Sequence, residues 1–479
     1  MRRSPLPLLF LLLASSAFAE APAAKLSDVL RVQRPAGGEY MGLYLMGKKV
    51  GYLYSSVKQD GDKVVAVNEI HFRAQVGART SERNMKETRT YDAKPGGRLL
   101  SFVVEQQGDG GDQVLEATTS PTGIRVLRKR PDMPNETLSV KPSHEVAEDA
   151  DQARVALLRN ATVEGTITDG TDLEQYKVTT TVGGPPETRS VRGVKAVVRK
   201  VVTLSEKEKV PTEAWVDEKG RMVEVHFGPT MTALAEPEDI AKRLDAVEVF
   251  GLTRVVLPRP PPPNARAVPG QLKLVMLGLP EKFRSPTYRQ AFKELPHGEV
   301  EVTIKADPPK TRARRPLVDP NGGANLKSTI IVEADNPDIK ARAKKLAGDD
   351  KDAYSVAKKI SRWVSDNMVK DYGASSDRAS DVLKQMKGDC TEHALLTVAL
   401  LRAVGIPARR VDGVVYVMNE DQVPALYWHE WVEAYVGEWT QLDPTFGQDV
   451  ADATHFAVGE EGNAEITPLI GSLKVTEIN

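Results

Sequence analysis

The run Leu257-Pro-Arg-Pro-Pro-Pro-Pro263 constrains the fold more than any other stretch, because consecutive prolines fix φ and remove backbone donors. It cannot enter a sheet interior, so it reads as a stiff polyproline spacer dividing the chain. The textures on its two sides differ. From about Gly38 to Val256 the pattern is mostly strand-like. Tyr40–Met46 and Val50–Val57 flank Gly47-Lys-Lys49, a hairpin signal. Asp60-Gly61 leads into Lys63–Phe72, and turn clusters recur at Lys94–Gly97, Gly108–Gly111 and Glu218–Gly220. Two interludes, Glu145–Leu158 and Pro237–Leu244, read as helices. One large antiparallel sheet, curved or barrel-like with helices on one side, is expected there.

Beyond the prolines, Gln271–Leu277 and Glu299–Ile304 read as strands of a small β subdomain, with Asp319–Gly323 as a loop. The texture turns helical at Asn336-Pro337, a cap followed by proline at the first helical position. Ala353, Val356, Ala357, Ile360, Trp363, Val364 and Met368 then recur at helical spacing as one buried stripe. Strands are expected to return only after Pro407, at Val411–Met418, Tyr427–Val436 and Trp439–Leu442. Helices followed by an antiparallel sheet make the fold class α+β. The expected division is a leader at 1–19, a β-rich domain at 20–256, the proline-rich linker at 257–270, the β subdomain at 271–334 and a last domain at 335–479.

With 479 residues the chain is long enough for two or three domains. Lys+Arg 65 against Asp+Glu 66, with no long basic block, argues against a nucleic-acid partner. The first nineteen residues join two arginines, a short leucine core and a small-x-small end at Ala17-Phe18-Ala19, which together read as a secretory signal. Its apolar core is shorter than the ~20 residues that span a bilayer, and no later segment qualifies. The expectation is an exported protein, periplasmic or secreted, with no transmembrane span after signal removal. No cysteine near the cleavage site offers a lipid anchor. With a single cysteine, Cys390, no internal disulfide can form, and an exported lone thiol suggests a use for it.

Cys390 lies in Lys-Gly-Asp-Cys-Thr-Glu-His, just before the apolar helical run Ala394–Ala403 and the stop Gly405-Ile-Pro-Ala-Arg409. Gly388-Asp389 breaks the chain before it, so the thiol is expected in the first turn of a helix. Free amides and the helix dipole there favour a thiolate and could hold an oxyanion. Val432, Ala434 and Val436 share one face of the next strand region, and His429 points from the other. A turn at Gly437-Glu438 sends the chain back, so that Asp443 can end beside His429 and orient its ring. Cys390, His429 and Asp443 read as a catalytic triad.

Gly-Asp-Cys-Thr-Glu-His-Ala, Leu-Leu-Arg-Ala-x-Gly-Ile-Pro-Ala-Arg, Trp-His-x-Trp-Val-Glu and Leu-Asp-Pro-Thr resemble the transglutaminase-like superfamily, over roughly Ala379 to His455. Asp452-Ala-Thr-His455 looks like its bacterial exported branch. The resemblance implies a papain-like core that uses cysteine, histidine and aspartate in this order, and acyl transfer from an amide through a thioester to water or an amine. Water is the default acceptor, which favours hydrolysis, by an amidase or protease, of a protein or peptide amide in the cell envelope. Two alternatives stand: a cross-linking transglutaminase, and a non-catalytic envelope binding or assembly protein carrying a relic triad. The N-terminal region would then bind a protein or wall partner.

Other residues have plainer readings. His393 reads as packing or as support behind the reacting residues, Glu433 as an ion-pair partner of Arg409 or Arg410, and Trp428, Trp431 and Trp439 as core or cleft walls. Lys340–Lys345 reads as a solvated helix face. Asn367, Tyr372 and Gln385 are equal candidates for a second oxyanion donor. No cofactor and no metal are expected, since one cysteine and scattered histidines give no zinc spacing and no calcium loop is present.

Overall fold

The structure, a computed structural model, describes residues 26–76, 79–108, 111–131, 133–207, 210–244, 247–371, 376, 378–419, 421–460, 469 and 471–479. The leader read at 1–19 and the candidate donor Tyr372 lie outside them.

The N-terminal half forms a sixteen-stranded sheet. Successive hairpins run from Met133–Val140 at one end back to Glu39–Leu45. The sheet then crosses to Met231–Ala235 and continues to Val163–Thr168 at the other end. Its described pairings are antiparallel except for the two residues Val247–Glu248 beside Ala74–Gln75. Local chemistry fixes the first hairpin: Met46 and Gly47 both take positive φ, 49° and 76°. That is the primed turn whose twist matches paired strands, and Gly47 meets it without strain. Alternate residues of these strands point inward. Val64, Ala66, Phe102, Ile124 and Val126 bury one face against Val155 and Ala156 of the short helix Gln152–Arg159. The second interlude shortens to the single turn Glu238–Ala241.

The C-terminal half is α+β, with a β-rich antiparallel region before it. Asn336 caps the helix Pro337–Ala347 by accepting from the N–H groups of Asp338 and Ile339. Asp352 caps Ala353–Asn367, whose apolar stripe is buried as its spacing implied except at the half-buried Trp363. At the centre lies the helix Cys390–Ala403, apolar on nearly every side. Such a helix needs cover all round. The helices Pro337–Ala347, Ala353–Asn367 and Ala379–Gln385, together with the strand Pro424–Tyr435, supply it. That strand pairs along its length with Ala408–Met418, and at its end with Trp439–Leu442. Phe456–Glu460 adds to the other side of Ala408–Met418. A short strand also precedes the cysteine, contrary to the expectation of none before Pro407: Lys387–Gly388 pairs in parallel with Val369–Lys370.

The proline run is not a free spacer. Val255–Val256, ahead of it, already pairs with Ala425–Leu426 of the C-terminal sheet, and the Leu257 N–H donates to the Pro424 carbonyl at 2.8 Å. Leu257 and Ala265 are buried, and the Ala453 N–H donates to the Ala265 carbonyl at 2.9 Å. Prolines need no ladder donors, so they lie on the C-terminal surface as an extended strap.

The strands Gly270–Leu277, Gln290–Glu294 and Val300–Ala306 do not close a core of their own. Leu272, Leu274, Met276, Val302 and Ile304 enter the same hydrophobic core as Ile339, Ile360 and Leu396. A fourth strand arrives from the far end of the chain, Lys474–Ile478, to pair with Gly270–Leu277. Alternation showed these strands to be half-buried; it could not show what covered them.

The two halves meet next to the helix that leads to Cys390. Arg378, itself buried, pairs with Glu136 of the N-terminal sheet and with Glu333, and Arg130 pairs with Asp381. The Ser380 N–H donates to Glu333 at 2.9 Å.

Candidate active site

Cys390 opens its helix at the first helical position. Asp389 is the N-cap, its carboxylate accepting from the Thr391 N–H at 2.8 Å, and Glu392 reaches back to the Asp389 N–H at 2.8 Å. This capping box anchors the first turn. The Cys390 N–H, in the first turn, comes too early for an intrahelical acceptor. Glu392 also accepts from Ser376, and burial beside Asp389 pushes its carboxyl up to about 8.

Cys390 is partly exposed. Its thiol is pushed up by burial of the sulfur and by the Asp389 carboxylate, with Glu430 and Asp443 adding to it. The helix start does not make a standing thiolate here, because burial of the sulfur outweighs it and the Asp389 carboxylate adds to that. One contact works the other way: the backbone N–H of Glu430, the residue after His429, favours the thiolate. The sulfur therefore lies against the His429 strand.

His429 and Asp443 come together. The His429 Nε2 lies 2.8 Å from Asp443 Oδ2, both side chains buried. The pairing of Val432 with Leu442 in the hairpin sets this meeting, since Asp443 is the next residue on the returning strand. Asp443 Oδ1 accepts from the Thr445 and Phe446 N–H groups at 2.7 and 3.0 Å, so the carboxylate cannot swing. Phe446 stacks on the His429 ring at 4.9 Å between centroids and Trp431 at 5.9 Å. Opposite His429 in the sheet is Gly413, where an added Cβ would sit 2.1 Å from the Phe456 carbonyl oxygen.

A second histidine joins the pair. His455 Nε2 lies 3.0 Å from the same Asp443 Oδ2, and its Nδ1 is 3.2 Å from both Asp452 Oδ1 and the Asp452 carbonyl. The two imidazoles and bound N–H groups hold the Asp443 carboxyl far below the usual range, burial notwithstanding, and Asp452 is lowered likewise. His455 is raised, since its two carboxylate partners outweigh its burial. The donor atoms of His429, Asp443 and His455 all fall within 4.8 Å of one another, a convergence that linear spacing did not suggest. Hydrogen bonds between imidazole and carboxylate account for it.

The remaining candidates separate. Glu433 pairs with Arg409, their Nε to Oε2 distance being 2.7 Å, whereas Arg410 lies 3.4 Å from Glu430. Trp431 is fully buried and donates to Gln441, and Trp428 donates to the Thr253 carbonyl. His393 is buried with its Nδ1 on the Asp389 carbonyl, and burial lowers it. The Asn367 amide donates to the Trp363 carbonyl at its own helix end, and Gln385 is exposed. His455, Asp452 and Phe446 carried no readable role in the sequence. The Asp452-Ala-Thr-His455 spacing was visible, but its partner was not.

Residues 340–444 match the transglutaminase-like superfamily. The match is to a transglutaminase-like core and is confined to the C-terminal half. Cys390, His429 and Asp443 all lie within the matched segment, and His455 lies beyond it. An uncharacterized protein of Mycobacterium leprae (strain TN) is 25% identical over 194 residues, 37% of this chain and 68% of that one. Among solved structures, a Cytophaga hutchinsonii protein provisionally described as a cysteine protease shows 18% identity and a TM-score of 0.29. That similarity covers 44% of this chain and 84% of the other. A β-barrel-like protein of Brucella abortus, from a domain family of unknown function, shows 12% identity and a TM-score of 0.33. It covers 42% of this chain and 94% of the other. Among the described residues no helix is long and apolar enough to cross a membrane.

Proposed function

We propose that this transglutaminase-like core is an acyl-transfer enzyme with Cys390 as nucleophile, His429 as base and Asp443 as orienting carboxylate. The observation that carries the reading is the buried 2.8 Å bond from His429 Nε2 to Asp443. An ionised carboxylate there keeps the proton on Nε2 and leaves Nδ1 with the lone pair needed to take a thiol proton. With the thiol held neutral at rest, the base is required at the moment of attack.

The sulfur adds to an amide carbonyl, and its proton passes to His429. The C–N bond then breaks as His429 returns that proton to the leaving amine, and a thioester remains on Cys390. The Cys390 N–H at the helix start is placed to bind the oxyanion. Water attacking the thioester completes hydrolysis, which we favour; an amine would complete cross-linking. The leader at 1–19 supports export and a substrate among cell-envelope proteins or peptides. The large N-terminal sheet, locked to the segment before Cys390 through Arg378 and Arg130, would present that substrate or a wall partner.

The test is to trap the acyl-enzyme from an envelope extract and locate the adduct by mass spectrometry. An acyl group on Cys390, absent in Cys390→Ala, is expected. Full activity in Cys390→Ala would sink the reading, and isopeptide products with added amine would replace hydrolysis by cross-linking.

A further inference from the structure

His455 is a fully buried ring with an acceptor at each nitrogen. Nε2 meets Asp443 Oδ2, and Nδ1 meets two oxygens of Asp452. Neither carboxylate has a proton to offer. Asp443 already accepts from two backbone N–H groups. Asp452 accepts from the Thr454 N–H and hydroxyl at 2.9 and 2.6 Å and from the Gln448 amide at 3.0 Å. A neutral ring would leave one bare nitrogen facing an oxygen in a site closed to water, so both nitrogens carry hydrogen. The loop is braced from outside: Arg289 donates to the Asp452 carbonyl at 2.8 Å, and Gln290 exchanges hydrogen bonds with Ala457 at 2.7 and 3.0 Å.

We propose that His455 is a positioning residue for the acyl-transfer site, a buried cation anchored by Asp452 that grips Asp443 from a second side and offsets its charge beside His429. This rests on the roles given above to Cys390, His429 and Asp443. With two imidazole donors on one oxygen and two amide donors on the other, Asp443 has a single orientation, and His429 inherits it. The offset matters because an isolated buried carboxylate at Nε2 would make the imidazolium too stable for its Nδ1 proton to return readily to the leaving amine. The other charges facing this network are Arg266, 3.8 Å from Asp452 Oδ2, and Arg289. Beside the thiol are Asp389 and Glu430, the latter next to Arg410 and Asp412. Lys370 lies across the Phe446 ring at 5.6 Å.

Because Cys390 is the only cysteine, its alkylation by iodoacetamide against pH reads the site without a known substrate. His455→Phe removes both donor and charge; His455→Gln can keep a donor to Asp443 but loses the charge. Losing a nearby positive charge makes neighbouring groups hold their protons more tightly. Both limbs of the profile should therefore move to higher pH in both variants, by about half a unit or more. The optimum rate should fall about tenfold or more in His455→Phe and stay within about threefold in His455→Gln.

Thermal melts check folding. If His455→Phe does not fold, His455→Gln and the ring ¹⁵N resonances of wild-type His455 decide the matter. A doubly protonated ring at pH 7.5 is expected there. A neutral ring, or melts that fall while the profiles stay put, would overturn the proposal. His429→Ala separates the two readings: if it leaves the wild-type profile unchanged, the triad itself is wrong. If it abolishes the profile while both His455 variants leave it unmoved, only the role of His455 is lost.

Discussion

Arg89 and Asp443 are buried charges in opposite halves of the chain, and they are satisfied by different chemistry. In the N-terminal sheet, Arg89 Nη1 donates to both Glu145 oxygens at 2.8 and 2.6 Å, and its Nη2 donates to Glu87 at 2.7 Å and to the Thr168 carbonyl at 2.6 Å, while Tyr91 also donates to Glu145. A guanidinium does not titrate in the working range, so this cluster is a fixed strut. In the C-terminal half, Asp443 is held by two histidines beside the thiol of a partly exposed cysteine. Burial and complete hydrogen bonding are common to both. What sets the second apart as the candidate site is that imidazoles, unlike a guanidinium, belong to a residue type that exchanges protons, and that a thiol lies beside them.

The sharpest way to break this comparison is Asp443→Asn. Loss of the orienting carboxylate should slow acylation of Cys390 by about 10³–10⁴-fold, the scale of tautomer loss in a serine triad. Single-turnover kinetics on the trapped substrate would measure it. Glu145→Gln should do the reverse. Arg89 keeps Glu87 at 2.7 Å, so loss of the Glu145 charge should cost about 1–3 kcal/mol in urea unfolding, with the alkylation rate of the folded protein unchanged. A slowed thiol in that variant would mean that the two halves are coupled through the Arg378 contacts.

Gly413→Ala probes the sheet behind His429. Its methyl group would overlap the Phe456 carbonyl, so the strands must part, with about 1–3 kcal/mol lost and slower alkylation. The smallest effect is expected from Glu392→Gln. The folded-state pKa of Glu392 lies near 8, above its ordinary 4.5, so the fold binds an extra proton between those values. Its stabilising contribution is full below about 4.5 and lost as pH rises through about 8. The glutamine variant should flatten the fall in melting temperature across that window, and an unchanged slope would refute the assignment.

Much of the site could be read from residue order, because its placement is local. Gly388-Asp389 before an apolar run forces a helix start at Cys390, and the Gly437-Glu438 turn forces a hairpin that returns Asp443 to His429. The buried stripe of Ala353–Asn367 and the cap at Asn336 follow for the same reason: each depends on neighbours within one or two turns. The proline strap and the strands near Gln271 were legible as elements but not as neighbours. Their packing against the C-terminal core depends on contacts from Pro424 and from Lys474–Ile478, far along the chain.

Order and chemistry along the chain determined the α+β class and the transglutaminase-like core, and singled out three side chains as candidates, since patterning and short turns carry that information. Only the tertiary structure decided that His455 shares a carboxylate oxygen with His429, that Asp452 holds it there, and that burial of the Cys390 sulfur, with Asp389 beside it, favours the neutral thiol. Those are properties of summed fields and closed hydrogen-bond networks. They exist only once distant segments have excluded water from the same small volume.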